Sequence, residues 1–389
     1  MRLTIPLLAL VGGLVLAFVA VMTLQRPPAH IEQIGYRGTG MMDVSNPAAI
    51  AASFAMNQAP AVLPQNNAGP AAGTIYKNVQ VLKNVPAGAF ARIMVSMTQW
   101  VAPKQGCNYC HVAGNFASDA KYTKRVARRM IQMTIYTNAD WKSHVKNVGV
   151  TCYTCHRGHN LPKYVWFNGV EPPHATGLMD TETGEARPSL AADGSSLPYD
   201  PFSSFLAGNP KGGVNAMINT AGTTALPNGN RMSIQQTNWT YALMMNFATS
   251  LGVNCEFCHQ SRNFGSWSES TPKRVIAYYG LHMVRGLNND YMLPLTDTFP
   301  HDMLGAGGDV AKIDCSTCHQ GVSKPLYGAK MAKAFPYLEG PANLADPNPK
   351  SPAASGEANP AMITMTDAPA AATPASAAPA PAPAGQPGK

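Results

Sequence analysis

Eight cysteines stand in four pairs, and a histidine follows each pair at once: Cys107, Cys110 and His111; Cys152, Cys155 and His156; Cys255, Cys258 and His259; Cys315, Cys318 and His319. No cysteine is left over. At the Cys-x-x-Cys-His spacing two thiols can add across the two vinyl groups of a porphyrin while the adjacent imidazole reaches the iron. Other chemistries use parts of this pattern. Zinc ribbons take two Cys-x-x-Cys pairs per metal and would leave four adjacent histidines without a purpose. Redox dithiols sit singly in a βαβ setting that the sequence does not display. Disulfides do not need four short loops each closed by histidine. The pattern therefore predicts four covalently bound haem c groups.

What such a centre does depends on the distal side of its iron. Phe90, Ile93, Met94, Met97 and Val101 share one helical face, and Met94 stands 13 residues before Cys107. Met244, with Met245 beside it, stands 11 residues before Cys255 in a matching stretch. A single methionine on an apolar face is usually core filler, but its recurrence ahead of both motifs makes Met94 and Met244 candidate ligands. Met130 and Met133 are candidates for the second centre. The corresponding place in the second half falls near Tyr279, so His144, His282 and Met283 are candidates for the fourth; by spacing alone His144 serves the second equally well. His30, His159, His174, His282 and His301 otherwise read as structural histidines. Arg125, Arg128, Arg129 and Arg274 flank the motifs as candidate propionate partners, against the plainer reading of solvated helix charges.

The elements that must position these residues come as a duplication. "FARIMVSMTQWVAPKQGCNYCH" is answered by "YALMMNFATSLGVNCEFCH", "TKRVARRMIQM" by "PKRVIAYYGLHM", and "GVTCYTCHRG" by "KIDCSTCHQG". The expected fold is mainly α with much irregular loop: a multihaem c-type cytochrome of two pseudo-symmetric dihaem units, 86–165 and 231–341, built as helix, turn and motif. An extended arm (26–85) precedes them, a loop-rich segment (166–230) joins them, and a disordered Pro/Ala-rich tail (342–389) follows. Residues 1–25 hold an apolar run from about Ile5 to Leu24. Twenty residues reach about 30 Å, a bilayer core, so a single retained N-terminal transmembrane helix is expected, with cleavage of a signal as the alternative. Only 13% of residues are charged. The net charge of +8 would be offset by the propionates of four haems and does not argue for nucleic acid.

The order of elements resembles the tetrahaem cytochrome c subunit of purple-type photosynthetic reaction centres. The likeness runs from "IGYRGTGMM" (34–42) through "VARRM", "GVTCYTCHRG", "PYDPFSSF" (198–205), "YALMM" and "ESTPKRV" to "DCSTCHQGVSKPLYGA" (314–329). The resemblance implies three Met/His haems and one bis-His haem: Met94 opposite His111, Met130 opposite His156, Met244 opposite His259, and His144 from the first half opposite His319. With no open iron, the implied function is one-electron transfer rather than enzyme catalysis, with higher potentials at the Met/His centres. The implied partners are the reaction-centre L and M subunits and a soluble donor, a cytochrome c or a high-potential iron–sulfur protein. The donor would deliver electrons that re-reduce the photo-oxidised bacteriochlorophyll pair, the third haem lying nearest that pair and the first farthest away. The implied location is the inner photosynthetic membrane, with the haem domain on the periplasmic side. The chain departs from lipid-anchored members in lacking an N-terminal cysteine. The competing reading is a membrane-anchored tetrahaem quinol dehydrogenase-type carrier, which the duplicated methionine-bearing helices disfavour. A multihaem peroxidase would need a five-coordinate iron.

Overall fold

The computed structural model describes residues 4–23, 29–35, 40–168, 197, 200–203, 205–207 and 234–340. The Pro/Ala-rich tail, His174 and most of the segment 166–230 lie outside them. The described chain is mainly helical with loops, as expected. A single antiparallel hairpin is its sheet: β1 (His30–Gln33) pairs with β2 (Met42–Ser45), His30 opposite Ser45.

The first helix, α1 (Thr4–Thr23), contains no charged residue. Its described side chains, 10–23, are exposed, Leu10, Leu14 and Phe18 among them. Counting only described residues, no helix is long and apolar enough to cross a membrane. The N-terminal arm carries more regular structure than its composition suggests. α2 (Pro47–Met56) starts where Asn46 accepts the Ala48 N–H at 2.9 Å and Pro47 supplies a preset first turn. A short α3 (Ala72–Ile75) follows.

Two stretches then repeat one order of elements. In the first, α4 (Ala87–Val101) leads into a 3-10 turn (Gly106–Tyr109), then α5 (Tyr122–Asp140), α6 (Lys142–Val145) and α7 (Cys152–His156). In the second, α8 (Ile234–Leu251) leads into a 3-10 turn (Cys255–Phe257), then α9 (Pro272–Leu287) and α10 (Cys315–His319). α4 and α8 also share one burial rhythm. Residues 91–101 and 241–251 run in step, so that Arg92, Ile93, Ser96 and Trp100 correspond to Ala242, Leu243, Asn246 and Ser250, all buried.

The stretches interlock. The chain beyond α10 returns to the first stretch, where Phe335 meets Trp100 edge-on at 5.0 Å and carries the Arg92 guanidinium 3.9 Å over its ring. Asn138 on α5 donates to Leu338 O at 2.9 Å. Gly252, just past α8, has φ +65°, and a Cβ there would lie 2.2 Å from the carbonyl oxygen of Gly321. Only glycine allows this approach, which brings the segment after α10 against the end of α8.

Candidate functional site

Each Cys-x-x-Cys-His motif occupies one helical turn. In α7 and α10 residues i, i+3 and i+4 face one way, which sets both sulfurs and the imidazole on a common side. At the other two motifs the turn is 3-10, where i and i+3 eclipse. Capping boxes fix the starts of α7 and α10: Thr151 with Thr154, and Asp314 with Thr317. Arg157 and Gln320, both left-handed, end them.

All four motif histidines present one nitrogen and spend the other. Nδ1 of His111 donates to Phe116 O at 3.0 Å, and that of His259 to Phe264 O at 2.9 Å. His156 donates to His159 O at 2.9 Å and His319 to Val322 O at 2.8 Å. A backbone acceptor on Nδ1 fixes tautomer and ring orientation and leaves Nε2 to a metal. Burial pushes His156 and His259 below the ordinary histidine range. Burial, together with the facing ring of His144, takes His319 down to about 4. Neutral imidazole is the form that binds metal.

On the distal side, His144 is brought to His319 across 175 positions of sequence, ring centroids 6.0 Å apart. With metal–imidazole bonds of about 2 Å, that separation leaves room for one metal ion between the two rings. His144 Nδ1 donates to Ile276 O at 2.9 Å. Gly280 on α9 makes room for the ring: a Cβ there would come within 2.5 Å of His144 Cε1. In the repeat this part of α9 answers the Met130 region of α5. Met94, Met130 and Met244 are half-buried at the edges of the core clusters. The shared register pairs Met244 with Met94 and Met245 with Val95, an exposed position.

The second and fourth motifs lie back to back, with Cys155 Sγ and Cys318 Sγ 2.9 Å apart. α2 lies across this seam. Buried Asn57 donates to Gln320 O at 3.2 Å, and Arg157 donates to Met56 O, Asn57 Oδ1 and Cys318 O. The third motif is gripped instead by the hairpin: Asn254 donates to Met42 O at 2.8 Å and accepts the Val44 N–H at 3.3 Å.

The donor set fits haem better than zinc. No group of three or more His, Cys, Asp or Glu that could hold a metal ion occurs among the described residues. Buried polar atoms without a protein partner include Trp141 Nε1, Gln132 Nε2 and Ser143 Oγ, near His144 in sequence. Such atoms carry a desolvation cost unless an outside acceptor reaches them, and a propionate is one.

A sequence profile of the family described as photosynthetic reaction centre cytochrome C subunit matches residues 25–339. The chain belongs to this family. It is 47% identical over 317 residues to the photosynthetic reaction center cytochrome c subunit of Rubrivivax gelatinosus, covering 81% of this chain and 85% of that one. With the subunit of Thermochromatium tepidum it shares 46% over 332 residues, 85% and 80% of the two chains. With that of Roseobacter denitrificans it shares 41% over 272 residues, 68% and 72%. As a reaction centre cytochrome, the protein is an electron-transfer subunit with covalently bound haem c, associated with the reaction centre and so with a membrane.

Several other residues of this cytochrome are placed by the structure. Arg128 binds Asp119 at 2.8 Å, Arg129 lies over Tyr291, and Arg274 lies over Trp267 at 4.1 Å. Gly280, Asn57 and the Phe116 and Phe264 carbonyls escape a motif search; the repeated Asn-Phe after each outer motif is their one sequence signal. His282 packs on Tyr278 at 4.5 Å, and burial together with nearby Arg285 pushes it down to about 4. The unfolded chain, with an ordinary histidine near 6.5, binds this proton first on acidification. The contribution of His282 is therefore complete above about pH 6.5 and lost as pH falls through about 4. His282→Gln is expected to lose less stability than the parent between pH 7 and 4.5, measured by denaturant titration at both values.

Proposed function

We propose that the chain carries four haem c groups in two pseudo-symmetric dihaem units. The thioether sites are Cys107 and Cys110, Cys152 and Cys155, Cys255 and Cys258, and Cys315 and Cys318. His111, His156, His259 and His319 are the proximal ligands. Met94, Met130 and Met244 complete the first three centres, and His144 the fourth. The observation that carries this reading is the approach of His144 to His319 beside Gly280. It supplies the ligand that the second half lacks where the first has Met130. Bound haem supplies a one-electron couple whose potential methionine raises and a second histidine lowers.

The contacts support an order of motifs along the molecule of first, second, fourth, third. α7 and α10 touch at the seam, while the third motif lies against the hairpin. Six residues separate α1 from β1, a reach of at most about 20 Å. The described part of α1 does not by itself make a span; we propose the span from the whole helix, 20 residues without a charge, about 30 Å long. That tethers the third motif close to the membrane and leaves the first as the distal point of electron uptake. The partners in this reading are the L and M subunits with their bacteriochlorophyll pair, and a soluble cytochrome c or high-potential iron–sulfur protein on the periplasmic side. The capped, carbonyl-tied histidines serve this role by holding each ligand set nearly unchanged between oxidation states, which keeps reorganisation small.

The test is a flash experiment on membranes, following haem α-band absorbance after one light pulse alongside a redox titration. The expected result is haem oxidation in step with re-reduction of the bacteriochlorophyll pair, one haem in four titrating well below the rest. Absence of light-induced oxidation, with a quinol analogue perturbing one haem instead, would overturn the proposal.

A further inference from the structure

The outer motifs, first and third, share a device that the inner two lack. Five residues after the histidine each has a phenylalanine whose carbonyl accepts the Nδ1–H and whose ring turns back onto the same imidazole. Phe116 lies 4.8 Å from the His111 ring, planes 31° apart, and Phe264 lies 5.2 Å from the His259 ring at 22°. The loops carrying them are built alike. Asn115 N–H donates to Val112 O and Ser118 N–H to Asn115 O; in the second half Asn263 donates to Gln260 O and Ser266 to Asn263 O. At the inner motifs the acceptor is three residues on, at the end of a capped helix. Both phenylalanines are large apolar side chains left exposed, 57% for Phe116 and 48% for Phe264. Exposed as they are, both rings are held against a motif imidazole.

We propose that Phe116 and Phe264 are positioning residues, lids that fix the rotation of the outer proximal histidines and shield their Nδ1–H···O bonds from water. The inference rests on the proposed role of His111 and His259 as iron ligands. The stacked ring restricts imidazole rotation about its Cβ–Cγ bond, and so the plane in which Nε2 meets the iron. An unshielded Nδ1–H would exchange its carbonyl for water, weakening the bond that sets imidazole basicity. Greater water access favours the more highly charged ferric state and lowers the potential. At the inner motifs the Nδ1–H is instead tied to a carbonyl just past the end of a motif helix, and His319 is buried.

The test uses the intact membrane-bound cytochrome. Phe116→Ala keeps the carbonyl and removes only the ring. It is expected to lower the midpoint of the first haem alone, raising its oxidised-to-reduced ratio at the parent midpoint by about tenfold, the scale typical of losing an outer-shell partner. Phe264→Ala is expected to act in the same way on the third haem alone, and Phe116→Tyr, which keeps a stacking ring, to restore the parent value. His111→Ala and His259→Ala identify the two haems by which low-spin signal each removes. Unchanged midpoints and electron paramagnetic resonance line shapes in both alanine variants would overturn the lid while leaving the ligand assignment standing. Histidine variants that leave every haem signal intact would overturn the assignment itself, and the lid with it.

Discussion

Replacing His144 by alanine is expected to turn one haem in four from low spin to high spin and leave the other three as they were. The side chain has three supports: the Ile276 carbonyl on its Nδ1, the space left by Gly280, and the facing ring of His319. With the imidazole gone, the proposed fourth iron keeps only His319 from the chain. The affected haem should be the lowest in potential, because a second histidine stabilises the ferric state. Gly280→Ala reaches the same end without touching a ligand, since its Cβ would stand 2.5 Å from His144 Cε1 and the ring would have to leave. Optical and electron paramagnetic resonance spectra of both variants, with a redox titration, check this. A high-spin signal at the haem held by His156, or none, would refute the assignment.

A second large effect is expected at Lys312, which is fully buried. Its ammonium pairs with the Asp309 carboxylate and sits 4.4 Å over the Trp166 ring. Burial lowers its pKa, and Asp309 opposes that shift. Asp309 in turn accepts the Asn168 N–H at 2.7 Å, and its other oxygen has no partner. Trp166 and Lys312 exchange both backbone hydrogen bonds, and Trp166 Nε1 donates to Ile313 O. This knot holds the approach to Asp314 and so to α10. Lys312→Met would strand the Asp309 charge in the core, at a cost of about 3–5 kcal/mol. The double variant Lys312→Met with Asp309→Leu should recover much of that loss, because removing both charges removes the stranded one. Denaturant titration of the two variants decides the matter; equal losses in both would show that the ion pair is not the source.

The attachment motifs were legible in the sequence because covalent chemistry dictates their spacing locally. So were α4 and α8, whose apolar faces repeat every three or four residues. Met244 rather than Met245 was open from spacing. The common register of α4 and α8 pairs Met244 with Met94, and both pack against a core cluster. The partner of His319 was also open from spacing alone. His144 and His282 are both histidines on helical stretches, and what separates them is the packing of α6 on α9, a contact across about 140 residues that no local pattern encodes. The composition of the arm concealed α2, whose residues are not buried and whose ties to the seam are polar, Ser53 and Asn57 donating to the Gly321 and Gln320 carbonyls. Asn57, a polar residue in a Pro- and Ala-rich stretch, becomes informative only when Gln320 and Arg157 are brought to it.

The seam around Cys155 and Cys318 makes the second and fourth motifs one mechanical unit. Asn57 donates to Gln320 O and accepts from Arg157, and Arg157 also reaches Cys318 O. A loss at Asn57 therefore loosens both motifs together, although 163 positions of sequence separate them.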